Sequence, residues 1–356
     1  MKTQELKKIV GSLLIVGFDG TRLSDSAKNF LEQWNLGGVI LFKRNIESLE
    51  QAAALNEAVY RTARVTPIVS VDHEGGRVSR LSEPFTQFPA MGKLGEVCRK
   101  RGDFQLAEQV GEAFGRELRA SGFNLDWAPV LDVNSNPKNP VIGDRAFGAD
   151  PEAVTEAALA FLRGLEFAGV AGCGKHFPGH GDTAEDSHHT LPQVAKDEAE
   201  LWACELKPFE RAVARGIPML MTAHVRYPAL DAEWPATLSE KILQGILRHK
   251  MGFQGLVVSD DMFMKGITSG WSLEEACERF LKVGGDLLLL CHQESAQRRA
   301  AAHLIHRAEQ DGDFLKLLEA KSKQVDAWRG RLQKGGEAAA LAKYSEKHRK
   351  LAQSFS

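Results

Sequence analysis

Residues 255–261 read Gly-Leu-Val-Val-Ser-Asp-Asp, an apolar β-branched run entered through glycine and left through two carboxylates. A short continuous run of this kind suits a strand buried on both faces, the situation in a parallel sheet. Working outward, seven more runs share the pattern: LLIVGF (13–18), GGVILF (37–42), PIVSVD (67–72), FNLDWAPVLDV (123–133), VAGCGKHF (170–177), PMLMTAHV (218–225) and GDLLLLC (285–291). Longer amphipathic stretches separate them. The one at 151–168 follows Asp150, opens on Pro151 and stops before Gly169, which are helix start and stop signals. Eight strand–helix units predict an α/β fold, a single (β/α)8 TIM-type barrel, because closing the sheet removes its edges and the helices bury its outer face. An open doubly wound sheet would share the alternation. The polar residues favour the barrel: Asp19, Lys43, Arg44, Asp72, His73, Glu74, Asp132, Lys175, His176, His224, Asp260 and Asp261 sit at run ends, whereas the run starts are mostly Gly, Pro or apolar. That asymmetry is expected of one catalytic face.

The chain has 356 residues, of which 43% are hydrophobic, and 45 Lys+Arg against 47 Asp+Glu give a formal charge of −2. Both signs are scattered, which argues against a nucleic-acid partner. One domain over 1–356 is expected, with 294–356 supplying the last barrel helix and then surface helices ending in a frayed tail. Five cysteines without a Cys-x-x-Cys pair form neither a disulfide framework nor a thiolate metal site. The lysines ahead of 13–18 superficially imitate a signal peptide, but that run is shorter than the usual apolar region of about 7–15 residues and ends in Asp19. No run approaches the ~18–20 apolar residues of a membrane span. The expectation is a cytoplasmic monomer with a small-molecule partner, no membrane partner and no cofactor.

Chemistry concentrates after the fifth run. Lys175, His176, His180, Asp182, Asp186, His188 and His189 fall within fifteen positions, on a loop, since Pro178, Gly179 and Gly181 preclude a regular helix. A solvated polar loop is the bland reading. Metal ligation is a second, although His176 and His180 cannot share a helical face across Pro178-Gly179. In a third, Asp186 orients His188, which donates a proton to a leaving oxygen and later takes one from water. The charge-stabilising or attacking partner would be Asp260, while Asp261 could merely cap a turn. Asp72, Arg80 and Arg145 suit hydrogen bonding to a polyhydroxylated or N-acylated ligand, or form structural salt bridges. Gly75-Gly76 is not a dinucleotide fingerprint.

The combination of Asp72-His-Glu-Gly-Gly-Arg77 with Arg80, Gly143-Asp-Arg-Ala-Phe-Gly148, Lys175-His-Phe-Pro-Gly-His-Gly-Asp-Thr183, Asp186-Ser-His188 and the segment 247–261 resembles glycoside hydrolase family 3, specifically the NagZ-type β-N-acetylhexosaminidases. The resemblance spans roughly residues 13–291. It implies Asp260 as nucleophile, His188 as general acid/base, Asp186 as its partner, and Asp72, Arg80, Arg145, Lys175 and His176 as ligands of N-acetylglucosamine. The implied substrate is a terminal β-linked N-acetylglucosamine on a muropeptide-type acceptor of cell-wall recycling. His73, where many members have Gln, and Met262-Phe-Met-Lys265, in place of Leu-Ser-Met-Glu, depart from the pattern near the site. The loop after Lys175 must fold over the sugar to place His188. A metal-dependent barrel hydrolase, a family 3 β-glucosidase or phosphorylase variant, and a non-catalytic muropeptide binder are the alternatives.

Overall fold

The computed structural model describes residues 3–336 and 341–356. The eight runs yield nine short strands: β1 (Leu14–Val16), β2 (Gly38–Leu41), β3 (Ile68–Val71), β4 (Leu125–Asp126), β5 (Ala171–Gly172), β6 (Gly174–Phe177), β7 (Met219–Thr222), β8 (Leu256–Val258) and β9 (Leu288–Leu290). The fifth run is interrupted at Cys173 and serves two neighbours. Its first half pairs with β4, and its second half with β7.

All named pairings are parallel, in the orders β5-β4-β3-β2-β1-β9 and β6-β7-β8. Single bridges join the two sheets at both ends, Val130 with Lys175 and Val258 with Leu287. The first strand lies against the last, through register pairs such as Val16 with Leu290. This is the α/β barrel arrangement that the alternation predicts. Every residue of β1, β2, β3, β8 and β9 is buried, as a sheet with helices outside and packed side chains inside requires.

The helices follow their local signals. Pro151–Phe167 starts at Asp150, whose carboxylate accepts the Glu152 N–H. Lys7 and Lys8, ahead of β1, belong to a helix, Thr3–Ser12, whose Leu6 and Val10 are buried. Beyond β9 run helices Glu294–Gln310, Gly312–Arg329 and Leu341–Gln353. The expectation of a frayed end is wrong for the last residues. His348 bonds the buried Glu117 at 2.7 Å, and Phe355 is buried with its ring 6.5 Å from that of Phe88. Residues 337–340 of the extension lie outside the described part. Among the described residues no helix is long and apolar enough to cross a membrane.

Candidate active site

One cavity, of about 270 Å³, gathers side chains that leave the strands at their C-terminal ends: Phe42 after β2, Asp72 and Arg80 after β3, Lys175 and His176 within β6, Asp260 and Asp261 after β8, and His292 after β9. Arg145 and the loop residues Asp186, Ser187 and His188 also line it. All eight candidate site residues therefore share one cavity, although they span 188 positions of sequence from Asp72 to Asp260.

One side of the cavity is a charge lattice. Lys175, almost fully buried, places Nζ 2.5 Å from Asp72 Oδ1 and against Glu74. Arg145 grips the same Glu74 through two hydrogen bonds of 2.8 Å, and Arg80 reaches Asp72 at 3.2 Å. Burial alone would raise the Glu74 carboxyl, but the Arg145 guanidinium and Lys175 ammonium overcome it and hold it well below the usual carboxylate range. Burial likewise opposes the charge on Lys175, and Asp72 and Glu74 outweigh it, so that its ammonium is retained more firmly than usual. Each ion here needs its neighbours, since a buried charge without a partner costs several kcal/mol. The sequence marks Glu74 only as one polar residue at a strand end, yet it is the counter-ion shared by two of the expected ligand residues.

A second knot hangs on Asp132, fully buried past β4. Its Oδ2 lies 2.7 Å from His176 Nδ1, and its Oδ1 accepts the backbone N–H groups of His176 (3.1 Å) and His180 (2.6 Å). Burial would raise this carboxyl, but His176 and His180 pull it below its ordinary value. An ionised carboxylate only accepts, so Nδ1 of His176 carries a proton toward it, and Nε2 points to the other side, 3.5 Å from Arg145 Nη2. The two histidines thus turn to different tasks. His180 faces Thr183 and Ser187, at 2.8 and 3.0 Å. Among the described residues no three His, Cys, Asp or Glu side chains are grouped as a metal ion would need.

The same cavity is also lined by a loop histidine, His188, and a strand-end carboxylate, Asp260. Asp186 Oδ1 accepts the His188 backbone N–H at 2.8 Å and lies 2.7 Å from its Nδ1. Burial tends to raise the Asp186 carboxyl, and the hydrogen bonds from His188 bring it below its usual value. With that carboxylate ionised, Nδ1 is the protonated nitrogen and Nε2 is left for chemistry. Asp260, half-buried, accepts the Asp261 N–H at 2.8 Å. Burial pushes its carboxyl up, but His224, His176, the Asp261 N–H and His188 overcompensate and keep it below the ordinary aspartate value. Its neighbour is different in kind. Asp261 accepts the Phe263 and Cys291 N–H groups, and burial raises it to about 6, so it is the turn cap of the pair. His224, which the sequence marks only as a strand end, is fully buried and donates Nε2–H to the Asp261 carbonyl at 3.1 Å.

A strand-end carboxylate and a carboxylate-supported histidine lining one cavity beside a hydrogen-bonding lattice, at the C-terminal mouth of an α/β barrel, are the parts of a hydrolase-type site. The family model described as "Glycosyl hydrolase family 3 N terminal domain" matches residues 2–327. A protein named Beta-hexosaminidase from Neisseria meningitidis serogroup C is 40% identical over 284 residues, covering 79% of this chain and 78% of its own. Among solved structures, a glycoside hydrolase family 3 β-N-acetylglucosaminidase from Paenibacillus sp. str. FPU-7 superposes with a TM-score of 0.89 at 35% identity, over 98% of this chain and 68% of that one. NagZ from Neisseria gonorrhoeae, solved with N-trifluoroacetyl-D-glucosamine, gives a TM-score of 0.81 at 34% identity, over 97% and 98%. The chain belongs to glycoside hydrolase family 3.

Proposed function

We propose that this chain is a retaining exo-β-N-acetylglucosaminidase that releases terminal β-linked N-acetylglucosamine. The observation that carries the proposal is the pairing, in one cavity, of the ionised Asp260 with a His188 already oriented by Asp186. Asp260 attacks the anomeric carbon and forms the glycosyl–carboxylate bond, while His188 Nε2–H gives its proton to the departing glycosidic oxygen. His188, now neutral, takes a proton from water, which displaces Asp260 and restores both groups. Asp72, Arg80, Arg145, Lys175 and His176 hold the sugar hydroxyls in a lattice whose geometry is set before substrate arrives. The β-hexosaminidase names of relatives at about 40% identity support the sugar, and the N-trifluoroacetylglucosamine in the gonococcal structure supports the N-acyl group.

The natural substrate on this reading is a muropeptide from cell-wall recycling, processed in the cytoplasm by a monomer folded as one domain. Five free thiols fit a reducing compartment. The test is Asp260→Asn, assayed on p-nitrophenyl N-acetyl-β-glucosaminide with the product anomer followed by NMR. Expected are at least a ~1,000-fold loss of turnover with an unchanged melting temperature, and a β-anomer from the parent enzyme. Unchanged turnover, or an α-anomer as first product, sinks the proposal.

A further inference from the structure

Ser187 stands between the two residues of the acid/base pair, yet its surroundings belong to other parts of the fold. It is 1% exposed, whereas the side chain of the next residue, His188, is 61% exposed. Two hydrogen bonds hold it, one through its backbone and one through its side chain. Its carbonyl accepts the Gly266 N–H at 2.9 Å, and Gly266 lies in the segment that follows Asp260 and Asp261. Its hydroxyl lies 3.0 Å from His180 Nε2.

Both ring nitrogens of His180 have a hydroxyl partner: Nδ1 lies 2.8 Å from Thr183 Oγ1 and Nε2 lies 3.0 Å from Ser187 Oγ. Burial keeps this imidazole neutral, at about 4, so one nitrogen donates and the other accepts at neutral pH, and either tautomer keeps the Ser187 hydroxyl bonded. Asn139 holds the same turn, giving its amide to the carbonyls of His180 and Gly181 and to Thr183 Oγ1 at 2.8, 3.0 and 3.1 Å. Gly266 is equally constrained. A Cβ there would meet His224 Cβ at 2.9 Å, the His224 carbonyl at 3.1 Å and the Ser187 carbonyl at 3.2 Å.

The geometry assigns Ser187 as a positioning residue: its hydroxyl fixes the loop carrying His188 to His180, and its carbonyl meets Gly266 in the helix Lys265–Thr268 that follows the Asp260 segment, so that acid/base and nucleophile are set against a common frame rather than independently. This rests on the hydrolase reading above. The loop is exposed on both sides of the pin, at Ala184, Glu185, His189 and Thr190. With only Asp186 holding His188, the pair could swing as a unit without losing its own hydrogen bonds. The pin at Ser187 removes that freedom.

The test is Ser187→Ala, and independently Gly266→Ala, on two aryl N-acetyl-β-glucosaminides: a phenyl glycoside, whose departure needs a proton, and a 2,4-dinitrophenyl glycoside, whose departure does not. A misplaced acid predicts a loss in kcat/KM of about 10- to 100-fold on phenyl but under about threefold on dinitrophenyl. Should one variant fail to melt cooperatively, the other decides. Equal losses on both substrates, or no loss on either, overturn the assignment of Ser187. A parent enzyme that cleaves neither glycoside overturns the hydrolase reading instead, so the two failures are distinguishable.

Discussion

The two sides of the cavity are built on different principles. Asp72, Glu74 and Lys175 stand on strand ends, Arg145 joins them from the turn Gly143–Arg145, and the charges of this lattice are mutual partners, deeply buried around Glu74. The loop side presents His188 to solvent and supports it with one carboxylate and one buried serine. On the proposed function, the sugar-holding groups are therefore bound into the buried ion lattice of the barrel mouth, while the proton-transferring group stands on an exposed loop. Damage to the first should register in stability and KM together. Damage to the second should register in rate alone.

The largest effect that separates them is Glu74→Gln. Lys175 and Arg145 would lose their shared counter-ion, with an expected destabilisation of about 3–5 kcal/mol in urea unfolding and a raised KM. An unchanged unfolding midpoint would refute the dual role of the lattice. Next comes Asp186→Asn, which leaves His188 without its carboxylate. We expect kcat/KM on p-nitrophenyl N-acetyl-β-glucosaminide to fall about 10- to 100-fold, with the unfolding free energy within ~0.5 kcal/mol of the parent. A parallel loss of stability would erase the contrast between the two sides.

The smallest effect is a slope. His180 titrates at about 4 when folded, against about 6.5 when unfolded, so the unfolded chain binds more protons between those values. Its contribution to stability is full above about pH 6.5 and declines as pH falls toward 4, by at most about 1.4 kcal/mol per pH unit. Replacing it in His180→Gln should flatten the measured dependence of unfolding free energy on pH in that window. An unaltered slope would mean that His180 is not the buried neutral anchor described above.

Much of this molecule can be read before folding it. The apolar runs announce the strands because a barrel strand is buried on both faces, and their polar ends announce the cavity because all strands point the same way. Seven of the eight candidate residues follow a strand end or lie within or after β6, and Arg145 reaches the same cavity from the short helical turn Gly143–Arg145 of the long connection after β4. What sequence does not disclose is which polar neighbour holds which. Glu74 and Asp132 look like ordinary strand-end acids, and their importance arises from partners 71 and 44 positions away. Ser187 and His224 escape for a related reason. A serine between Asp186 and His188, or a histidine at a strand end, acquires meaning only from what the tertiary structure packs against it. The frayed tail is misread because helical, charge-rich composition does not reveal that His348 finds a buried carboxylate on a helix more than two hundred residues earlier.

Asp132 has a consequence for how such a loop can diversify. By holding the amides of both His176 and His180, it fixes the number of residues between them, so an insertion there would tear a ligand from its carboxylate. Ala184 and Glu185, exposed and downstream of the Asn139 contacts, carry no such constraint. Length variation that retunes the reach of the loop while sparing its root therefore has one natural address, between the Thr183 anchor and Asp186.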